Sequence, residues 1–513
     1  MPTTDNALPP VLGFHARVGA RGEPGPAPRR ITAGEAVPFT GGTCSGRLLA
    51  GSGPAVPRTA DGVTTLLAGE LYHRDGLPAA LGGIADDAEL LLEIWLRYGR
   101  AGLRLCNGRF AAVVVEADSV VIATDHAGSV PLYVRREEGA VHVATEAKAL
   151  AGGGVDLALP GTEPVPGTPG VLRVRAGSAV TLRPAGPIGA AEWTRTWTPP
   201  LHRLALPPAR AVRRVADALD AAVRTRVRGP VTAVLSGGVD SGSVAALASR
   251  AGGRLTTVSL GTDAGDEFAA ARVVAEHVGS DHREFRCGAE DLVRQLPWAV
   301  AAAEIVDAEV IEYLLPLVVL YRALPPGGRL LTGYGADIPL GGMHRGTAEL
   351  ASLDDVIAAD MAGFDGLNEL SPVLSTLAGQ WTTHPFWDRD VLDLLTALEP
   401  GLKRRDGRDK WVLREAVRDL LPESTVRRPK LGVHEGSGTT GAWTRLLLAH
   451  GVRTSEVGAV KNAMTAAIHR RVVGAGEHPD AVSFDDVLAA VLATRAAPVI
   501  PAQVPPVWKA VVS

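Results

Sequence analysis

The sequence predicts a two-part α/β protein: a sheet-rich N-terminal unit followed by a doubly wound, parallel-sheet domain with many helices. Three observations carry this expectation. The chain has 513 residues, more than a single hydrophobic core usually serves. From about Thr64 to Lys148 short apolar, strand-like runs dominate. Beyond Leu204 helical segments alternate with short apolar strands, the pattern of a parallel sheet covered on both faces. The boundary falls near Leu204, dividing the chain into 1–203 and 204–513.

In the first unit, Phe110 to Val115 and Val120 to Thr124 read as strands and Asp87 to Tyr98 as a helix. Glycine and proline become dense between Gly152 and Pro208, notably at 161–167 and in Thr198-Pro199-Pro200, which marks turns and a crossing between domains. The second unit opens with a helix from Val212 to Arg224, a strand from Val231 to Leu235 and a helix from Ser241. Leu255 to Leu260, Glu267 to His277 and Arg329 to Thr332 continue as strand, helix and strand. Gly441 to Ala497 reads as helical and runs into the proline-rich Pro498 to Pro506, a surface tail.

A formal charge of -4 gives no electrostatic reason to expect nucleic acid or an anionic membrane, so a small molecule is the expected partner. The cysteines, Cys44, Cys106 and Cys287, are odd in number and far apart, which suggests neither a disulfide framework nor a zinc site. No signal-peptide pattern and no membrane-length apolar run is present. A cytoplasmic protein is expected.

The loop Ser236-Gly237-Gly238-Val239-Asp240-Ser241 joins a buried strand to a helix. Its glycines allow backbone N–H groups to converge, and the helix N-terminus adds positive potential, so phosphate is held there. It lacks the Lys-Ser/Thr pair of a Walker loop and carries the Ser236 and Ser241 hydroxyls and the Asp240 carboxylate instead. A carboxylate beside phosphates implies a bridging cation, for which Mg²⁺ is the natural choice. As a structural element alone, the same loop would be a glycine-rich turn.

Ser-Gly-Gly-x-Asp-Ser resembles the loop of the ATP pyrophosphatases, which cleave ATP between the α and β phosphates and transfer AMP to an oxygen. Asp266-Glu267 and Gly333-Tyr334-Gly335-Ala336-Asp337 narrow the resemblance to asparagine synthetases. The N-terminal segments Gly69-Glu70-Leu71-Tyr72, Asn107-Gly108-Arg109-Phe110, Asp125 to Tyr133 and Glu146 to Leu150 resemble that family's glutaminase domain, implying an Ntn-hydrolase-like α+β sandwich. The family's glutaminase needs an N-terminal cysteine as nucleophile. Here position 2 is Pro2, no cysteine precedes Cys44, and Ala68 replaces the family's asparagine. Glutamine hydrolysis is therefore expected to be lost.

An inactive glutaminase joined to a synthetase is the pattern of the β-lactam synthetases. Ile311 to Pro316, Gly366-Leu367-Asn368-Glu369 and Arg428 to Gly438 resemble the clavulanate-type members most closely. The resemblance implies ATP- and Mg²⁺-dependent adenylation of N2-(2-carboxyethyl)-L-arginine and closure to deoxyguanidinoproclavaminate. It nominates Tyr334 with Glu369 as the base that deprotonates the attacking amine, and Lys430 as the cation facing the tetrahedral oxyanion. Ser236, Gly237, Gly238, Asp240, Ser241, Leu260 and Lys410 would bind the nucleotide, and Asp240 with Asp337 the metal. Tyr313, Gly333 and Asp360 would meet substrate, Asp360 through the guanidinium fork.

Each nomination has an ordinary alternative: a packed tyrosine, a turn aspartate, a solvated lysine among Lys403, Arg404, Arg405 and Arg408, or a helix-surface carboxylate beside Asp354 and Asp355. Competing functions are an ammonia- or glutamine-dependent amidotransferase, a carbapenam synthetase acting on carboxymethylproline, and a nonenzymatic nucleotide sensor. A homodimer is an open possibility.

Overall fold

The computed structural model describes residues 8–19, 36–41, 43–51, 56–152, 154–344, 349–364, 374–376, 378–439 and 441–494. Pro2, the segment Gly366 to Glu369 and the proline-rich tail lie outside them. The N-terminal half stacks two antiparallel sheets. Strands β1 (Val11–Gly19), β2 (Ala36–Gly41), β3 (Cys44–Ala50), β4 (Arg58–Ala60), β5 (Val63–Tyr72), β6 (Asn107–Val115) and β7 (Val120–Thr124) are followed by β8 (Tyr133–Glu137), β9 (Ala140–Ala144), β10 (Thr162–Pro164), β11 (Leu172–Val174), β12 (Ser178–Leu182) and β13 (Glu192–Arg195). One sheet runs β10-β11-β8-β9-β1-β3-β2 and the other β13-β12-β7-β6-β5-β4.

Side-chain alternation explains why the second sheet is buried on both faces. Leu66 and Ala68 of β5 and Ala111 and Val113 of β6 face the first sheet, whereas Leu67, Leu71, Phe110 and Val114 turn to the other side. There helix α1 (Asp87–Tyr98) covers them with Leu90, Leu91, Ile94 and Trp95. Its start is capped by Asp86, whose carboxylate accepts from Glu89 N–H.

The glycine- and proline-rich stretch after Gly152 differs from its sequence reading. It supplies strands β10 to β13, which extend both sheets, and its glycines occupy the turns before and between them: Gly161, Gly167, Gly170 and Gly177 all have positive φ. The composition reported the turns correctly and hid the short strands between them.

The C-terminal half holds five parallel strands, β14 (Val231–Val234), β15 (Leu255–Thr262), β16 (Asp281–Cys287), β17 (Arg329–Leu331) and β18 (Trp381–Thr383), in the order β16-β15-β14-β17-β18. Helices α2 (Pro208–Arg224), α3 (Val239–Arg250) and α4 (Phe268–Val278) share a core with one face of this sheet. Helices α5 (Ala289–Val293), α6 (Leu296–Ala303) and α7 (Ala308–Ala323) pack on the other, so the sheet is doubly wound. The C-terminal stretch read as one helical region comprises separate helices, Ala442–Ala449, Val457–His469 and Phe484–Ala493. No helix of the described residues is long and apolar enough to cross a membrane.

The two halves meet through buried charge. Glu70 of β5 takes both oxygens to Arg329, at 3.0 and 2.8 Å, and accepts from the Trp381 indole at 2.9 Å. Trp381 is fully buried in the N-terminal sandwich's own core, with the Arg109 guanidinium 3.6 Å above its ring. Since Arg329 begins β17 and Trp381 begins β18, the N-terminal half grips the strands whose far ends lead into the site described next.

Candidate active site

In the order β16-β15-β14-β17-β18 the chain winds outward from β14 in one direction and from β17 in the other. The carboxyl ends of β14 and β17 therefore flank a switch point, the place where open α/β sheets bind ligands. Two loops converge there, Leu235 to Gly238 entering α3 and Thr332 to Ala336 leading to helix α8 (Asp337–Leu340). Gly333 makes the convergence possible: a Cβ at that position would lie 2.5 Å from Ser241 N and 2.6 Å from Asp240 C. Gly333 is thus a packing requirement between the loops, as well as a residue lining the cavity.

In the first loop, Gly237 turns with φ of +77° and Gly238 caps α3 in extended conformation. The hydroxyls of Ser236 and Ser241 lie 3.1 Å apart, and Ser236 N–H donates to Ser241 Oγ at 3.2 Å. The helix begins at Val239, two residues before its sequence reading, which puts Asp240 and Ser241 in the first turn.

Four charges gather beside this turn. Lys410 Nζ bridges Asp240 Oδ2 at 2.5 Å and Asp337 Oδ1 at 2.6 Å, and Lys430 Nζ lies 2.8 Å from Asp337 Oδ2 and 3.6 Å from Asp240 Oδ2. Lys410 is buried, 1% exposed, whereas Lys430 is 30% exposed. Burial opposes the charge of Asp337, but Lys410 and Lys430 outweigh it and hold this carboxyl well below the usual range. Burial likewise opposes the charge of Lys430, and Asp337 and Asp240 push its pKa well above that of a free lysine. Asp240 Oδ1 is buried with no hydrogen-bond partner among the described residues. That atom, beside Asp337, suits a hard divalent cation.

The segment carrying Lys430 is fixed at both ends. Arg428 donates to the Ser236 carbonyl at 2.9 Å and pairs with Glu267 at 2.9 Å. Thr262 Oγ1 donates to the Ser437 carbonyl at 2.8 Å. Burial raises the Glu267 pKa against the pull of Arg428 and Lys430.

These groups line one open cavity at the carboxyl end of the sheet. Ser236, Gly238, Asp240, Ser241, Leu260, Tyr313, Gly333, Tyr334, Asp337, Lys410 and Lys430 all line it. Asp360, on helix α9 (Leu350–Ala362), is not among the lining residues; it pairs with His344 at 2.7 Å. Glu369 lies outside the described residues. Sequence reasoning assigned no role to Arg428, Glu267, Thr332, Arg414 or Ser437, which also line the cavity. Of these Glu267, Arg428 and Ser437 carried a signal, since each lies in a segment that resembles the family.

Comparison with known proteins agrees with this architecture. The family model described as asparagine synthase matches residues 214–372 and 374–473, and that described as glutamine amidotransferase domain matches 51–159. A carboxyethyl-arginine beta-lactam-synthase of Streptomyces clavuligerus is 54% identical over 447 residues, covering 85% of this chain and 86% of that protein. A glutamine-hydrolysing asparagine synthetase of Arabidopsis thaliana is 26% identical over 410 residues, 73% of this chain and 67% of that one. Asparagine synthetase B of Escherichia coli strain K12 is 25% identical over 405 residues, 72% and 69%. A sheet-sandwich amidotransferase-type half, a parallel-sheet half with its Ser236–Ser241 loop, and these matches along both halves place the chain in the asparagine synthase family.

Proposed function

We propose that the chain is an ATP-dependent β-lactam synthetase that adenylates the β-carboxylate of N2-(2-carboxyethyl)-L-arginine and closes it to deoxyguanidinoproclavaminate, releasing AMP and pyrophosphate. The observation that carries the reading is the grouping of Asp240, Asp337, Lys410 and Lys430 beside the Ser236–Ser241 loop, with Tyr334 in the same cavity. The similarity to the Streptomyces clavuligerus enzyme supplies the substrate class.

In the first step a substrate carboxylate oxygen attacks the α-phosphorus of ATP and pyrophosphate leaves. Ser236, Ser241 and the N–H groups of the first turn of α3 hold the pyrophosphate, and buried Lys410 offsets its charge. Asp240 and Asp337 would hold Mg²⁺, which when bound neutralises phosphate charge. In the second step the secondary amine attacks the acyl carbon and AMP leaves. Both reacting groups belong to one molecule, so ring closure gains from proximity. Tyr334 takes the amine proton as its own phenolic proton passes to its partner Glu369, so the pair carries away one proton as the ring closes. Lys430, kept cationic by Asp337 and Asp240, faces the oxyanion. Asp360 receives the guanidinium by exchange with its present partner His344.

Glutamine as an ammonia source fits poorly. Cys44 is fully buried in β3, where burial pushes its thiol up to about 12, and Cys106 is held at about 12 in the same way. Burial raises Cys287 as well. None of these thiols is poised as a nucleophile at neutral pH. The reading is tested by pyrophosphate release with ATP, Mg²⁺ and carboxyethylarginine in the absence of glutamine and ammonia. Release is expected; its absence without an ammonia source would refute the proposal.

A further inference from the structure

His384 follows β18 and sits directly behind the Tyr334 loop. Its Nδ1 lies 2.5 Å from Thr332 Oγ1, the atom that also accepts the Tyr334 backbone N–H at 3.3 Å. The imidazole stands edge-on to the Tyr334 ring, at 86° with centroids 6.0 Å apart, a favoured aromatic geometry. The next residue, Gly335, lies against the Trp387 indole so closely that a Cβ would meet its Cδ1 at 2.0 Å. His384 and Trp387 pack on each other with centroids 4.9 Å apart. Segment 384–387 is therefore a platform under the Tyr334 loop, His384 meeting Tyr334 and Trp387 meeting Gly335.

The platform is tied to the N-terminal half. His126 Nε2 lies 2.6 Å from the Trp387 carbonyl oxygen. The next residue, Asp388, is fully buried and takes Arg226 at 2.8 Å, His73 at 2.6 Å and Asn107 Nδ2 at 3.3 Å. His384 itself is 3% exposed, and its Nε2 has no hydrogen-bond partner among the described residues. Burial, then Arg109 and Arg226, hold its pKa well below that of a free histidine, so the ring is neutral. A neutral imidazole bonded only through Nδ1 to Thr332 is a costly residue to keep for packing alone.

We propose that His384 is a positioning residue for ring closure, acting through Thr332 to fix the Tyr334 phenol at the reacting amine. The inference rests on Tyr334 as the base. It gives the N-terminal half a task in the chemistry: through Asn107, His73 and His126 it holds the platform on which the base is seated. Adenylation, performed at the Ser236–Ser241 loop, does not pass through His384.

The test separates the half-reactions, measuring substrate-dependent ATP–pyrophosphate exchange and ring formation on the full chain, with melting temperature as the check on folding. His384→Leu is expected to lower ring formation by about 10- to 100-fold, the range for an ångström-scale misplacement, with exchange within about twofold of the parent. His384→Asn, which restores a polar atom near the Nδ1 position, should recover most of the loss. Thr332→Val removes the same hydrogen bond from the cavity side and should repeat the selective loss if the leucine variant folds poorly. Ring formation at the parental rate in both His384→Leu and Thr332→Val would overturn the proposal, as would parallel loss of exchange and ring formation in both. Tyr334→Phe decides the underlying reading: if it loses ring formation while the two platform variants do not, the base stands and the platform falls. If Tyr334→Phe closes the ring at full rate, both fall.

Discussion

Gly333→Ala is a minimal change with a large expected consequence. The new methyl would sit 2.5 Å from Ser241 N and 2.8 Å from Ser241 Cα, with Asp240 C at 2.6 Å. Ordinary contact begins near 3.4 Å, so the loops must separate by about 0.9 Å. All three neighbours are backbone in the first turn of α3, and none can swing aside as a side chain would. Overpacking of this kind costs about 1–3 kcal/mol in stability. The effect on activity should be larger, because the displaced turn carries Asp240 and Ser241 while the displaced loop carries Tyr334 and Asp337; separation of about an ångström between reacting groups costs roughly 100-fold. ATP–pyrophosphate exchange should fall by about that factor while the variant remains folded by circular dichroism. Exchange at the parental rate would show that the approach of the two loops is not required for adenylation.

Other perturbations test other parts of the account. Trp381→Ala removes a fully buried indole from the N-terminal core and should cost about 3–5 kcal/mol, read as lowered resistance to urea; unchanged resistance would mean the halves are not joined there. Lys410→Met leaves Asp240 and Asp337 short of a buried cation, so Mg²⁺ should raise the melting temperature of the variant more than that of the parent. An equal rise would count against those carboxylates as the metal site. The pH dependence has two windows. Glu70 is held at about 2, Arg329 outweighing burial, so its stabilisation, roughly 3 kcal/mol, is present above pH of about 4.3 and lost as pH falls toward the folded value. His469 is buried and depressed to about 4; the unfolded chain binds its proton first, so this group should contribute a fall in stability of about 1.4 kcal/mol per pH unit as pH drops from about 6.5 toward the folded value. His469→Gln should remove its share of the slope in that upper window in chemical denaturation, leaving the share of the similarly depressed His384, and an unchanged slope would refute its assignment.

The features legible in the sequence were those written in local chemistry. The Ser236–Ser241 loop declared itself because glycines, hydroxyls and a carboxylate follow a short apolar strand, and Asp337, nominated by resemblance, lies five residues after Thr332 at the end of a later one. Strands β1 to β3 were missed, although the first alternates Leu12, Phe14, Ala16 and Val18, which enter the sandwich core, with Gly13, His15 and Arg17. Lys410 could not be told from Lys403 or its arginine neighbours, because a buried lysine is defined by partners at positions 240 and 337, far away in sequence. The structure makes Lys410 the most enclosed charge of the site. The Arg428–Glu267 pair and the His384 platform were illegible for the same reason, since sheet order alone brings them to their loops. Asp360, chosen by likeness, is found paired to His344, so its meeting with substrate is an expectation of the proposed function.

The central claim is that the carboxylate activated at the Ser236–Ser241 loop is captured by an amine of the same molecule. Mass spectrometry of a reaction containing the chain, ATP, Mg²⁺ and carboxyethylarginine tests it most directly. The account expects a product lighter than the substrate by one water, formed in equal amount with AMP and with no ammonia source present. AMP formation only with aspartate and ammonia or glutamine, yielding asparagine and no dehydrated product, would contradict it.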